Sequence, residues 1–314
     1  MLILAQPVQS FTSIVMHIYK HIFCIFLFLA SKGLTAQNIS GYVISENGEG
    51  IPFTSIFLRE QNIGIISDMN GHYRLPNDFL KETGDTIIFS SIGFDTKRLP
   101  VALFAEKVAE GNTDIVLTAN YVLLPEVVVI PNNNRPREYG MFHLRSSNFF
   151  LFGRPAFKVM TFVENTDGLN KIIQTVNVRI RRDNDDTQKL RVFFYQKTEN
   201  GFQNINVADE DILISDLSSS RIRLDVSRHH IPFPKEGLFV GIEWIGADNV
   251  VQDRRERFGL SVRTTNRDNR THTWIFENET WVQFYFTEEE INEVPRMFRN
   301  SVRNANAQIG ITAH

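Results

Sequence analysis

The chain has 314 residues, 42% of them hydrophobic and 22% charged, with a net charge of -3. That length exceeds the usual single compact domain, so two domains behind a leader are expected. A charge this close to neutrality excludes a dedicated nucleic-acid binder, because there is no domain-wide basic excess to displace phosphate counterions.

The N-terminus reads as a targeting segment. Met16-His-Ile-Tyr-Lys-His is a weakly basic start, Ile22 to Ala30 is a continuous apolar core, and Ser31-Lys-Gly-Leu-Thr-Ala36 is a polar, small-residue exit before Gln37. That is the three-part pattern of a secretory signal peptide, so residues 1–36 are expected to be removed after Ala36, with Met16 a candidate initiator. The apolar run falls well short of the ~20 residues a spanning helix needs. The single cysteine, Cys24, lies inside that core and not at its end, where a lipid-carrying cysteine belongs. The exported chain would then hold no thiol, no disulfide and no cysteine-ligated metal, and would depend on core burial for stability. No second apolar run reaches spanning length, so no transmembrane helix is expected in the mature chain.

Residues 37–118 show short alternating runs separated by Gly, Asn, Asp and Pro, the pattern of a small antiparallel β-sandwich. Asn47-Gly48-Glu49-Gly50 predicts a turn and Phe53 to Leu58 a strand. Asp68-Met-Asn-Gly71 predicts a tight hairpin turn between Ile63–Ile66 and His72–Leu75, with Gly71 free to take positive φ. Read as cation ligands, Asp68 and Asn70 lack the distal acidic residues of a calcium loop. Ile87 to Ser90 predicts another strand, and Gly93 is read as relieving crowding before Phe94.

The turn at Asp68–Gly71, the run Phe89-Ser-Ser-Ile-Gly-Phe-Asp and the segment Leu124-Pro-Glu-Val-Val-Val-Ile130 together resemble the carboxypeptidase regulatory-like domain. The resemblance implies a seven-stranded, transthyretin-like sandwich and an exported Gram-negative envelope protein, located in the periplasm, at the outer membrane or at the cell surface. Such domains commonly precede TonB-dependent receptors. Here the remaining length cannot supply a receptor's plug and large barrel, whose strands need ~10 residues each.

Residues 119–154 read as a linker, with Pro131-Asn-Asn-Asn-Arg-Pro136 breaking any regular pattern and Phe142, Phe149, Phe150 and Phe152 without a clean period. From 155 to 300 the alternation returns and predicts a second antiparallel sandwich, jelly-roll-like. One face each is assigned to Ile172, Val176, Val178 and Ile180; to Leu190, Val192 and Phe194; to Ile222, Leu224 and Val226; to Leu238, Val240, Ile242 and Trp244; and to Val282, Phe284 and Phe286. Leu217 to Ile245 also resembles, more loosely, sandwich halves paired with this domain in exported proteins of unknown role. Thr287-Glu-Glu-Glu290 is a capping box, predicting a short helix that stops before Pro295. Residues 301–314 read as a flexible tail.

Candidate chemistry is sparse. None of the eight histidines is followed at plus three by Glu, and no His-Glu-x-x-His occurs, so the zinc site of a carboxypeptidase is missing. His229-His230 with Asp225 is the remaining metal candidate, but adjacent side chains on a strand diverge and a third ligand is lacking. Ser218-Ser-Ser220 reads as a turn without a nucleophile elbow. Asp209-Glu-Asp211 and Glu288 to Glu290 read as turn and helix-start acids and not as a glycosidase pair. Arg181-Arg182 and Arg254-Arg255-Glu256-Arg257, beside Asp183, Asp185, Asp186 and Asp253, read as solvated charge. Trp274 and Trp281 flank Glu277-Asn-Glu-Thr280, as expected of two strands meeting in a hairpin with a Trp on each. They are the candidate ligand-binding residues, either as a stacking platform for a sugar or as cross-strand packing. The sequence therefore predicts an all-β, non-enzymatic protein without metal or cofactor that binds envelope or outer-membrane proteins. Carbohydrate binding through Trp274 and Trp281 is the alternative.

Overall fold

The computed structural model describes residues 38–61, 63–120, 135–146, 150–152, 157–181, 189–199, 201–208, 210–245, 252–253, 261–266, 272–277, 280–303 and 305–314. The leader with Cys24, Asn132 to Asn134, Phe149, Arg182 to Asp186, Asp209 and Arg254 to Arg257 lie outside the described residues.

The first sandwich is built from β1 (Ile39–Ser45), β2 (Ser55–Leu58), β3 (Ile63–Ile66), β4 (His72–Leu75), β5 (Thr86–Ser90), β6 (Lys97–Pro100), helix α1 (Val101–Ala109) and β7 (Ile115–Leu117). One sheet runs β4-β1-β7 and the other β3-β2-β5-β6. Pairing is antiparallel except between β1 and β7, which run parallel. Alternation puts Val43, Ile56, Leu58, Tyr73 and Phe89 into a common core, and Phe104 of α1 closes it with its ring 6.0 Å from that of Phe89. The Asp68–Gly71 turn forms, but it is not a hairpin: β3 and β4 pair into different sheets, so the turn carries the chain from one sheet to the other. Asp68 Oδ1 accepts from the backbone N–H of Asn70 and of His72, both at 2.9 Å. Gly71 has φ +76°, and a Cβ there would lie 2.4 Å from the Val43 carbonyl oxygen, so both conformation and space demand glycine. Gly93 also takes positive φ, +83°, yet nothing stands within 4 Å of where its Cβ would be; backbone conformation and not crowding selects it.

The rest of the chain forms β8 (Arg137–Gly140), β9 (Phe150–Phe152), β10 (Lys158–Val163), β11 (Lys171–Arg181), β12 (Leu190–Thr198), β13 (Gly201–Asn206), β14 (Ile212–Ile214), β15 (Arg221–Asp225), β16 (Pro232–Phe233), β17 (Leu238–Trp244), β18 (Gln252–Asp253), β19 (Ser261–Thr265), β20 (Thr273–Glu277), β21 (Thr280–Gln283), helices α2 (Glu288–Glu293) and α3 (Arg296–Val302), β22 (Asn306–Ala307) and β23 (Ile309–Ala313), and all of these strands except β18 build the second sandwich. A seven-stranded sheet runs β13-β12-β17-β10-β20-β21, with β14 alongside β12. It faces an eight-stranded sheet centred on β11 and β23. Val192, Phe194, Val240 and Ile242 of the first meet Val176, Val178, Ile309 and Ile311 of the second to form the core.

Three expectations change here. A bulge between Ile173 and Thr175 shifts the phase of β11, so Ile173 and not Ile172 joins Val176, Val178 and Ile180 inside. Residues expected to be linker supply β8 and β9, which pair with β23 and β19. The tail expected to be flexible is β23, paired to β11 on one side and β8 on the other, with Ile309 and Ile311 fully buried. Its small residues reflect close packing: a Cβ on Gly310 would fall 2.4 Å from the Tyr139 carbonyl oxygen. The capping box at Thr287 and Glu290 forms as expected and opens α2.

The two sandwiches are one unit from Ile39 to His314. Gln252 and Asp253 of β18 extend the sheet of the first sandwich by pairing with β3. Phe53 and Ile66 pack against Ile245 and Leu213. Ile92, from the loop after β5, enters the cluster formed by Met160, Phe193, Tyr195 and Phe239.

A candidate binding face on the second sandwich

Alternation gives the seven-stranded sheet an inner face for the core and an outer face carrying a second set of large side chains. On β12 these are Arg191, Phe193 and Tyr195; on β17, Phe239, Gly241 and Glu243; on β10, Lys158, Met160 and Phe162; on β20, Trp274 and Phe276. The two ends of this face are used differently.

At one end Arg191 is fully buried. Its Nη1 donates to Glu243 Oε2 at 2.9 Å, and Nη2 donates to the carbonyl oxygens of Pro52 (3.0 Å) and Phe53 (3.2 Å) in the first sandwich. Its Nε lies 3.0 Å from Asp211 Oδ1, off the N–H axis, as an ion contact and not a hydrogen bond. Lys158 Nζ completes the cluster, 3.4 Å from Glu243 Oε1. Burial, reinforced by Glu243, holds the Asp211 carboxyl above its ordinary range against the pull of Arg191. Phe53 has φ +51°, a left-handed conformation unusual for an aromatic residue. Lys189 and Arg191 sit 5.1 and 5.9 Å from its ring centroid. The densest group of charges on the face is thus closed off by backbone of the first sandwich.

At the other end the face stays partly open. Gly241 makes room: a Cβ there would meet the Phe193 ring at 2.1 Å, so that ring lies flat against the strand. Phe202 stands at the centre of the remaining aromatics, stacked on Tyr195 at 6.0 Å and edge-on to Trp274 (5.5 Å) and Trp281 (5.9 Å). Trp281 also contacts Phe276, its cross-strand partner, at 5.4 Å. The structure therefore brings Trp274 and Trp281 together on one face, half-buried and outside the main core. Their edge-on contacts give them the packing role of cross-strand aromatics, while their partial exposure leaves ring surface open to solvent. Beyond them β21 is the last strand of its sheet among the described residues. Val282, the cross-strand partner of Ile275, is 37% exposed at this edge and Tyr285, just after the strand, 63%, while Phe284 packs against the main core, so the face shared by Val282, Phe284 and Phe286 is the core side at its rim.

The other sequence candidates are held in local structure. Asp225 accepts from Ser227 N and Oγ, His229 Nδ1 meets Glu210 Oε1 at 2.9 Å, and His230 takes φ +48° at the end of a 3-10 turn, so the three do not converge. Asp216 Oδ1 accepts from Ser218 N and Oγ in an Asx-type turn. Among the described residues no group of three or more His, Cys, Asp or Glu is placed to hold a metal ion.

The profile of the CarboxypepD_reg-like domain matches residues 39–129. The chain carries a carboxypeptidase regulatory-like domain. This is a non-catalytic domain family, and its sandwich is the one whose Pro52 and Phe53 carbonyls receive Arg191. The match runs past β7 to residue 129, beyond the boundary at 118 expected from alternation; residues 121–134 lie outside the described residues. No curated protein is matched by the chain. Among the described residues no helix is long and apolar enough to cross a membrane.

Proposed function

We propose that this protein is a non-enzymatic, exported component of a Gram-negative envelope, a binding or assembly module that acts at the periplasmic face of the outer membrane or at the cell surface. The regulatory-like domain supports a non-catalytic role, and the leader pattern through Ala36 supports export. The observation that carries the reading is the division of the outer face. Its buried charge cluster, centred on Arg191, joins the two sandwiches, and what remains open is a largely aromatic surface beside a terminal strand. Such an edge receives a partner strand through backbone hydrogen bonds, while Trp274 and Trp281 supply apolar contact for that strand's side chains. The partner class is an envelope or outer-membrane protein.

A second reading, carbohydrate binding, is favoured by the convergence of Trp274 and Trp281 around Phe202 with partly open rings. One experiment addresses both. The chain and its Trp281→Ala variant are purified from the envelope fraction, their co-purifying proteins are identified, and both are applied to a glycan array. The same envelope protein retained by the parent and lost by the variant, with no glycan signal, is the expected result. Glycan binding lost in the variant would transfer the function to sugar recognition, and a chain found unprocessed in the cytoplasm would overturn the reading.

A further inference from the structure

The outward side of the eight-stranded sheet carries a feature unrelated to the aromatic face. Arg179 on β11 and Arg221 on β15 are direct cross-strand partners, and Asn177 pairs with Arg223 one step along. Arg263 lies on neighbouring β19. Like charges placed opposite each other across a ladder repel, so a row of guanidiniums is unfavourable unless an anion sits among them. The fold nevertheless holds these groups in place. Phe142 is only 5% exposed, and the guanidinium carbons of Arg179 and Arg223 stand 5.2 and 5.3 Å from its ring centroid. A Cβ on Gly310 would come within 3.3 Å of Phe142 Cβ, so the loop that delivers Phe142 rests directly on the sheet. Arg179 Nη1 donates to Ser146 Oγ at 3.3 Å, and Ser146 is held in turn by Gln308 Oε1.

The nearby carboxylates are already engaged around Arg179 and Arg221. Glu138 engages Arg223, and Asp225 is engaged by Ser227. Among the described residues neither Arg179 nor Arg221 makes an ion pair, and the buried Nε of Arg179 has no hydrogen-bond partner. Burial first, then Arg221 and Arg263, lower the Arg179 pKa, with Glu138 opposing, though a guanidinium stays charged throughout the working range.

We propose that Arg179, Arg221 and Arg223, braced by Phe142, form a binding site for a phosphate-bearing anion. Planar guanidiniums match tetrahedral oxyanions through paired N–H donors, and two or more arranged on one rigid face favour a ligand with more than one charged oxygen. The same chemistry is offered by free phosphates and by phosphate groups at a membrane surface, and the test separates them. The full chain is titrated with inorganic pyrophosphate by calorimetry. In parallel it is co-sedimented with phosphatidylglycerol vesicles and with phosphatidylcholine vesicles. Arg221→Gln and Arg223→Gln remove exposed charges without disturbing the core, and Lys81→Gln, an exposed lysine paired to Asp78 in the first sandwich, is the control for non-specific charge loss. The proposal expects binding of pyrophosphate, of anionic vesicles, or of both, weakened at least about tenfold in each arginine variant and unchanged in Lys81→Gln. Binding of neither probe, or binding that Arg221→Gln and Arg223→Gln leave unaltered, overturns it.

Discussion

Arg191 shows how a single residue can decide a domain arrangement. As the outward member of Leu190-Arg191-Val192 it occupies a position where alternation predicts solvent, yet it is fully buried because the regulatory-like domain lands on it. Its donors go to one carboxylate and two carbonyls, which is what a buried guanidinium requires to offset desolvation. Arg191→Met should therefore destabilise the protein by about 3–5 kcal/mol in urea unfolding, because Glu243 is left buried with an incomplete partner set. Replacing Lys158, Arg191 and Glu243 together with apolar residues of similar volume should recover most of that loss. If the single and triple replacements cost the same, the charges matter through contacts other than their mutual pairing. A second residue-scale prediction concerns Asp167. It accepts from the Tyr139 hydroxyl at 2.7 Å and Arg137 Nη1 at 2.8 Å, with Lys171 Nζ 3.3 Å away. The Tyr139 bond first, then Lys171 and Arg137, hold its carboxyl below the ordinary range despite partial burial. A carboxylate depressed in the folded state stabilises it above the unfolded pKa, near ~4, and that stability is lost as pH falls through the folded value. Thermal melts should show the parent losing stability more steeply than Asp167→Asn below pH ~4. Parallel pH profiles would contradict this.

At the scale of elements, the sequence yielded most where alternation was strict. Leu190, Val192 and Phe194 and the Leu238–Trp244 run face the core as their period requires. It yielded less where composition obscured the period. The last strand contains Gly, Thr and Ala and so resembles a tail, although Ile309, Ile311 and Ala313 do alternate and all lie inside. Its small residues are needed because Tyr139 and Phe142 cross over Gly310. Ile311→Ala should accordingly cost about 2–5 kcal/mol, whereas a frayed tail would tolerate it within about 0.5 kcal/mol; urea denaturation separates the two. Helix α1 was missed although Val101, Phe104 and Val108 recur at helical spacing after Pro100, because a short helix inside a strand-rich stretch is easily absorbed into the surrounding pattern. The bulge in β11 left no signature beyond the β-branched run itself. Of the candidate site, a hairpin with one Trp on each strand was legible from the spacing, although the cross-strand partners are Gln283 for Trp274 and Phe276 for Trp281. Phe202 and Tyr195, which complete the cluster, come from strands distant in sequence and gave no local signal.

At the scale of the whole molecule, the regulatory-like domain and the second sandwich share a strand, two apolar contacts and a buried charge cluster, so the proposed binding face is carried on one body and not on a flexible tether. That rigidity matters for a binding role, since a pre-organised edge strand loses little further entropy when a partner strand joins it. The docking could not be read from sequence: Ile92, Phe53 and Arg191 each obey their own local pattern, and only their meeting in space gives them a common purpose. The most direct test of binding at this face is site-specific photo-crosslinking in intact cells, with a photoreactive residue in place of Gln283, the exposed cross-strand partner of Trp274 on β21, and, as a control, in place of Leu169, an exposed residue of the second sandwich outside the proposed face. A discrete adduct with an envelope protein from Gln283 and none from Leu169 is the predicted result. Equal adducts from both positions, or none from Gln283 while the chain is folded and in the envelope, would contradict it.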